Sequence, residues 1–460
     1  MQLSVWKTET HSVEPIPLSE RHGNPRDLFT LWFSANMQVT TIALGAVYVF
    51  IGLPLVWSII AIILGNLIGA VFMAYHSAQG PIIGVPQMIQ SRAQFGYYGA
   101  LLPLALAVIM YLGFFALSSV LGGQSLTSLV GMHASTGSVT IGIVLLGIVT
   151  ALMAVFGYDL IHAYQRYVSL VFLVAFVVFT VAVAVSGQVP HSVWGFSGFS
   201  LADFVAGVTL AVTWQITYAP YVSDYSRYLP KEAGVSSTFN MTFWGTVIAS
   251  VWMMIIGAVL TEISSKLSTP DMINSIAGGL GWLMMIIILL GIVAANVLNV
   301  YGGMLTTDTV FGTFTKGRPS TGRRLTMIAL FAVVGIIVAI IAEGNFNSSL
   351  NNFIVFLTYF AVPWTAINLT DFYLVRRGQY DPEAFLRPAG YGKANWLALL
   401  AFVIGVLVEI PFIDSSLYEG PFAKAMGGAD ISWIFGLIFA GGIYLWTARS
   451  RASVSRSMSA

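Results

Sequence analysis

Runs of about 20 mostly apolar residues recur along the chain, separated by short polar stretches that hold glycine, proline and basic residues. About 20 residues is the length an α-helix needs to cross the hydrocarbon of a bilayer. The pattern predicts twelve spans, near 28–51, 54–77, 98–123, 138–157, 166–187, 203–224, 238–263, 280–304, 325–342, 349–375, 395–412 and 431–448. The loops agree with this count. With an even number of spans and a cytoplasmic N-terminus, every Lys and Arg except Lys266 and Lys424 falls on the cytoplasmic side. That asymmetry follows the positive-inside rule. It places both termini in the cytoplasm and the chain in a plasma (inner) membrane.

Composition sharpens the class. Hydrophobic residues make up 57% of the chain and charged residues 8%, against roughly 25% charged in a soluble domain. The fold class is therefore an all-α polytopic membrane protein in contact with the lipid bilayer. A net charge of +1 gives no reason to expect a nucleic-acid partner. There are no cysteines, and the six histidines show no metal-ligand spacing, so thiolate sites, nucleophilic cysteines and a membrane enzyme are disfavoured. No cofactor is expected. Neither rings of like charge nor repeated carbonyl filters are visible, which argues against a channel-like pore.

Three spans are more polar than crossing a membrane requires. Span one contains "LWFSANMQVTTIALGA" (31–46), with Ser34, Asn36, Gln38, Thr40 and Thr41 at mid-depth. Span six contains "TWQITYAPYVSDYSRYLP" (213–230), where Pro220 removes a backbone donor and frees a carbonyl about a turn earlier. Span eight contains "GIVAANVLNVYGG" (291–303), with Asn296 and Asn299 three apart and on one face. An unpaired polar group in hydrocarbon costs several kcal/mol, so such stretches are expected where the chain lines a cavity. Interrupted apolar segments in corresponding positions of two halves point to a secondary transporter built from inverted repeats. Spans one and six hold such positions in two five-helix halves, 27–187 and 203–376. Aromatic faces sit beside these clusters. Phe114 and Ser118 are four apart in span three, and Trp214 and Tyr218 are four apart in span six. Rings that stack, with Gln and Asn amides at the edge, suit a flat polar heterocycle.

"WFSANMQVTTIALGA", "LGFFALSSVLGGQ" and "YAPYVSDYSRYLP" resemble the purine–cytosine permease branch of the nucleobase:cation symporter-1 family, from about Asp27 to about Arg387. The resemblance implies a five-plus-five inverted repeat of the leucine-transporter type, with broken helices one and six and two peripheral helices (395–448). It also implies symport of a nucleobase or related ring with Na⁺, or less readily H⁺. Carried over by motif, Gln38 borders the substrate, Phe114 stacks on it and Ser118 follows one turn later. In span six either Gln215 or Tyr218 stands at the aromatic position, with Thr217 offering a hydroxyl beside Trp214. The main-chain carbonyls of Ser34 and Met37 match the cation ligands of span one. Asn296 and Asn299 fit the spacing of the span-eight ligands without the usual hydroxyls, and Asn299 is also a substrate candidate. Permeases for allantoin, hydantoins or a vitamin are the alternative.

The remaining features are edge features. Asp224, Asp308, Asp371 and Glu409 lie near span ends, where structural roles outweigh proton transfer, and Asp224 with Arg227 reads as an ion pair. Pro363 bends span ten. The segment 1–26 and the tail 449–460 are cytoplasmic extensions.

Overall fold

The computed structural model describes residues 13–132, 135–156, 158–315, 320–415 and 418–459. Most of the N-terminal extension, part of the basic loop at 315–324, and the last residue of the tail lie outside them. The principal helices are α1 (Pro25–Asn36), α2 (Val39–Phe50), α3 (Leu55–Ser77), α4 (Leu101–Leu129), α5 (Thr136–Phe156), α6 (Tyr158–Val185), α7 (Leu201–Ile216) and α8 (Ala219–Ser226). They continue with α9 (Val235–Ile263), α10 (Thr269–Ala277), α11 (Gly281–Phe314), α12 (Thr321–Ala342), α13 (Phe346–Leu369), α14 (Trp396–Glu409) and α15 (Ser432–Ser459). Each of the twelve apolar runs falls on one of these helices or on a helix pair. Among the described residues, seven helices are long and apolar enough to cross a membrane, and the bent pair α1–α2 makes an eighth.

Local chemistry sets the ends. Asn24 caps α1 in a reciprocal box with Asp27, and Pro25 occupies the first turn, where no backbone donor is needed. Ser200 and Ser320 cap α7 and α12 by accepting from the backbone of the first turn. Helices α1, α2, α3, α7 and α9 pack into one bundle, and α4, α5, α11 and α12 into a second body. Helices α14 and α15 pack together against α13. Close crossing of α2 and α9 depends on Gly45 and Gly257. A Cβ at either would collide with a carbonyl of the opposite helix, Met254 O or Ile42 O. In a bilayer such approach of backbones supplies the packing that hydrophobicity alone cannot.

Candidate functional site

Two interruptions of the helices lie side by side in the packed structure. After α1, Met37 (φ −80°, ψ 63°) and Gln38 (φ −141°, ψ 159°) leave helical geometry, and α2 departs at 57°. Between α7 and α8 the chain pauses at Thr217 and Tyr218, with Pro220 in the first turn of α8. The Pro220 carbonyl accepts the Tyr111 hydroxyl at 2.8 Å, so α4 holds the start of α8 in place.

A cavity opens where the breaks face α4 and α11. Gln38, Phe114, Ser118, Tyr218 and Asn299 all border it, joined by Thr40 and Tyr221. About 20 Å³ of it is open to the centre of a water molecule, room for roughly one water. A heterocyclic ring is larger than this space, so binding one requires the lining to open. The polar groups are held in defined directions. Gln38 donates its amide N–H to Ala35 O at 2.9 Å, while its Oε1 has no protein partner. Asn299 accepts from the Tyr221 hydroxyl at 2.7 Å and donates to Asn296 Oδ1 at 3.1 Å. One N–H of the Asn299 amide remains for a ligand. Thr40 and Ser118 share a hydrogen bond of 3.1 Å across the cavity. Rings close the sides: Phe114 meets Phe353 edge-on at 5.2 Å, and Tyr218 is tilted against Tyr221 at 5.7 Å.

The chain matches, over residues 15–436, the model of a family described as permeases for cytosine/purines, uracil, thiamine and allantoin. It belongs to that permease family. A Bacillus subtilis (strain 168) protein provisionally named a purine-cytosine permease is 45% identical over 94% of both chains. The purine-cytosine permease fcyB of Emericella nidulans is 26% identical, covering 95% of this chain and 87% of its own. Among solved structures, Mhp1, a nucleobase-cation-symport-1 family transporter closed around bromovinylhydantoin, superposes with a TM-score of 0.79 at 20% identity. The match covers 97% of this chain and 96% of that one, and it establishes a shared fold. This is a membrane permease and not an enzyme.

The remaining candidates of span six are placed elsewhere in the permease. Gln215 is fully buried inside the bundle, where its amide N–H groups donate to Asn66 Oδ1 at 2.7 Å and Ser250 Oγ at 2.8 Å, and its Oε1 accepts from Thr246 at 2.7 Å. Thr217 turns its hydroxyl onto Trp214 O at 2.8 Å, a local helix contact. Trp214 donates its indole N–H to Asn36 at 2.9 Å and packs edge-on against Phe114 at 5.7 Å and Tyr218 at 5.5 Å. It backs the aromatic wall and does not line the cavity. Tyr221 and Thr40 line it as well; Thr40 belongs to the polar cluster the sequence marks in span one but was not assigned a substrate role, and Tyr221 was not singled out. Tyr221 carries a signal in retrospect, because it lies one helical turn beyond Tyr218.

The four cation candidates lie at the end of α1 and on the part of α11 that α1 contacts. Ser34 O accepts the Met37 amide at 3.2 Å within the end of α1. Met37 O lies against α11 at Gly291, 3.5 Å from where a Cβ would stand. Asn296 is turned toward α4, donating to Ser119 Oγ at 3.0 Å and Phe115 O at 3.3 Å, and Asn299 faces Tyr221. The stretch 290–295 of α11, Leu-Gly-Ile-Val-Ala-Ala, brings no side-chain oxygen to Met37. The nearby Leu290 carbonyl accepts the Tyr164 hydroxyl of α6 at 2.8 Å. The carboxylates at span ends have structural partners. Asp308 pairs with Arg323, and Asp371 pairs with Arg376 at 3.1 Å while also accepting from Gln94, Tyr380 and Tyr444. Asp224 accepts the Gln87 backbone N–H at 2.8 Å. Glu409 differs: it is fully buried, and neither carboxyl oxygen has a hydrogen-bond partner.

Proposed function

We propose that this permease is a secondary active symporter that imports a flat heterocycle of nucleobase type by alternating access. The observation that carries the proposal is the cavity at the two helix breaks. Aromatic side chains (Phe114, Tyr218) border it, and an amide oxygen (Gln38) and an amide N–H (Asn299) stand available on its rim. A ring edge with a donor beside an acceptor complements that pair, as the edges of cytosine and of oxopurines do. The printed family description and the names of the relatives support the same ligand class. Allantoin, hydantoin and vitamin rings share the chemistry and belong in the test.

The full topology belongs to the same proposal. Twelve spans cross the plasma (inner) membrane with both termini cytoplasmic, and 27–187 and 203–376 are inverted repeats, with 395–448 peripheral. The bundle of α1, α2, α3, α7, α8 and α9 rocks against the second body, and the breaks supply the hinge.

Na⁺ is the coupling ion proposed first, held by the Ser34 and Met37 carbonyls where α1 meets α11. A hard cation of this kind takes about six oxygen ligands. H⁺ coupling is the second reading, favoured because residues 290–295 add no side-chain oxygen there. The test is quenching of the fluorescence of the twelve tryptophans by cytosine, uracil, adenine, guanine, hypoxanthine, allantoin and hydantoins, in Na⁺ and in K⁺ at two pH values. Quenching by one ring only in Na⁺ supports Na⁺ symport. Quenching that follows pH and ignores Na⁺ supports H⁺. No response to any ring, confirmed by thermal shift, overturns the substrate class.

A further inference from the structure

A buried polar chain at the cytoplasmic end of α3 has no part in the cavity. His76 is fully buried, and its imidazole lies face to face on the Trp364 indole, with centroids 4.8 Å apart and planes within 6°. Its Nδ1 is 3.1 Å from the Gln87 amide nitrogen. That nitrogen is also 3.3 Å from Gln79 Oε1, and Gln79 in turn donates through Nε2 to Asn368 Oδ1 at 2.8 Å. All four side chains are shielded from solvent. The amide orientations are mutually consistent. Gln90 gives its N–H to Val85 O at 3.2 Å and therefore turns its Oε1 toward Gln87, which must answer with nitrogen. The Gln87 amide has two hydrogens, and in the arrangement that gives one to Gln79 Oε1 and the other to Nδ1, the ring is neutral with its hydrogen on Nε2.

Among the described residues, three atoms of these four side chains find no hydrogen-bond partner: His76 Nε2, Gln87 Oε1 and Asn368 Nδ2. Two of them are the atoms that a reversed chain would use. A proton on His76 Nδ1 would confront the Gln87 N–H with a second donor. Turning the Gln87 amide over lets Oε1 accept from Nδ1–H. Gln79 then turns to donate to Gln87 Oε1, and Asn368 turns to donate to Gln79 Oε1. Only the 3.5 Å contact to Gln90, the longest in the set, is lost. The four side chains therefore support two hydrogen-bond polarities, and the proton on Nδ1 selects between them.

We propose that His76 is a proton-binding site, and that the chain from His76 to Asn368 is a two-state switch that transmits its charge to the helices that move. The inference rests on the transport reading and develops its proton-coupled form. The chain reaches two helices besides α3. The Gln87 backbone N–H is bonded to Asp224 on α8, the Ser223 hydroxyl of α8 donates to His76 O at 3.1 Å, and Asn368 closes α13 just before a π-helical turn at Thr370–Val375. Among the charged groups nearby, Arg21 lies against residues 81–84 and donates to Ile16 O and Pro81 O. Asp224 and Arg227 come from α8, and Asp371 from the turn after α13, already engaged with Arg376. Arg92 is committed to Phe385 O, Thr309 O and Thr313. Segment 80–90 and residues 235–261 of α9 contain no charged residue. A proton arriving at His76 thus changes the charge of a region joined to Asp224 of α8 through the Gln87 backbone. A bistable element biased by one ligand and joined to the helices that gate another is what coupling requires.

Two measurements test this. In proteoliposomes, uptake of each ring in the panel is followed with pyranine inside to record protons. Wild type is expected to accumulate its ring about tenfold per pH unit at one proton per ring, with matching acidification. His76→Asn keeps an acceptor toward Gln87 and cannot be charged. It is expected to bring the ring only to equal concentrations on the two sides, a loss of about tenfold at one pH unit, with no acidification. Accumulation by H76N equal to wild type overturns the proposal, as does wild-type accumulation driven by Na⁺ alone. The second measurement is nitrogen NMR of histidine-labelled protein in micelles, the His76 signal being the one missing from H76N. The neutral form with hydrogen on Nε2 is expected at pH 8, converting to imidazolium on acidification. A ring with hydrogen on Nδ1 at pH 8, or one that stays neutral to pH 5, overturns the proposal. If no ring is carried, the transport reading fails on its own and the NMR result still decides the proton site.

Discussion

Gln38 and Gln215 have the same side chain and both lie beside helix breaks, yet the structure gives them opposite jobs. Gln215 makes three buried hydrogen bonds, to Asn66, Ser250 and Thr246, joining α7 to α3 and α9. Replacing it with Ala removes all three and leaves the Asn66 oxygen and the Thr246 hydroxyl short of a partner. Interhelical hydrogen bonds in membranes contribute about 0.6 kcal/mol each on average and up to about 1.7, and a buried group left unpaired costs about 1–3 kcal/mol. The expected loss for Q215A is therefore about 2–5 kcal/mol, a fall in apparent melting temperature of about 2–5 °C for a chain of this size. Gln38 donates to Ala35 O at the end of α1 and offers its oxygen to the cavity. Q38A should melt within about 1 °C of wild type and bind its ring about 5–30-fold more weakly, the loss of one hydrogen bond of roughly 1–2 kcal/mol. The assay is a melting curve and a fluorescence titration on the same purified samples. A Q215A protein that melts like wild type and loses its ligand, or a Q38A protein that is destabilised and binds normally, would refute the assignment of the two residues.

Other perturbations follow from the same contacts. Tyr221→Phe frees the Asn299 amide to rotate by removing a 2.7 Å bond. Affinity should fall about 5–10-fold, on the order of 1 kcal/mol, with an unchanged melt, as read by titration. Gly257→Val drives a side chain into Ile42 O at the α2–α9 crossing. It should leave no monodisperse protein on size exclusion, whereas Gly279→Ala, with open space around it, should elute as wild type. Asp414 lies in the loop after α14, where burial first and then Glu419 and Asp430 hold its carboxyl above the ordinary value. A raised acid favours the protonated folded form, so this group's contribution to stability falls as pH climbs through the ordinary carboxylate value to the raised one. Asp414→Asn should thus melt higher than wild type at pH 7, and the difference should vanish near pH 4.

The positions of the helices were legible in the sequence because hydrocarbon imposes one demand on every span: about 20 apolar residues with all backbone groups bonded internally. The places where that demand was broken, 34–41, 213–220 and 296–299, also marked the cavity, since polar groups at that depth need something to face. Motif resemblance then put Gln38, Phe114, Ser118, Tyr218 and Asn299 in one place, and all five border it. The direction in which each polar side chain points was not legible. In water a helix shows its buried face by contrast with a polar one, but in a membrane the lipid and the protein interior are equally apolar, and that contrast disappears. Gln215 looked like a ligand residue, and Asn66, Thr246 and Ser250, from two other helices, turned it into an internal strut. Asn296 and Asn299 are spaced like a pair for one cation, and it is Ser119 on one side and Tyr221 on the other that take up their amides. Along the chain a sequence records which residues are polar. The neighbour that satisfies each one comes from a helix tens or hundreds of residues away, and only the packed structure decides which it is.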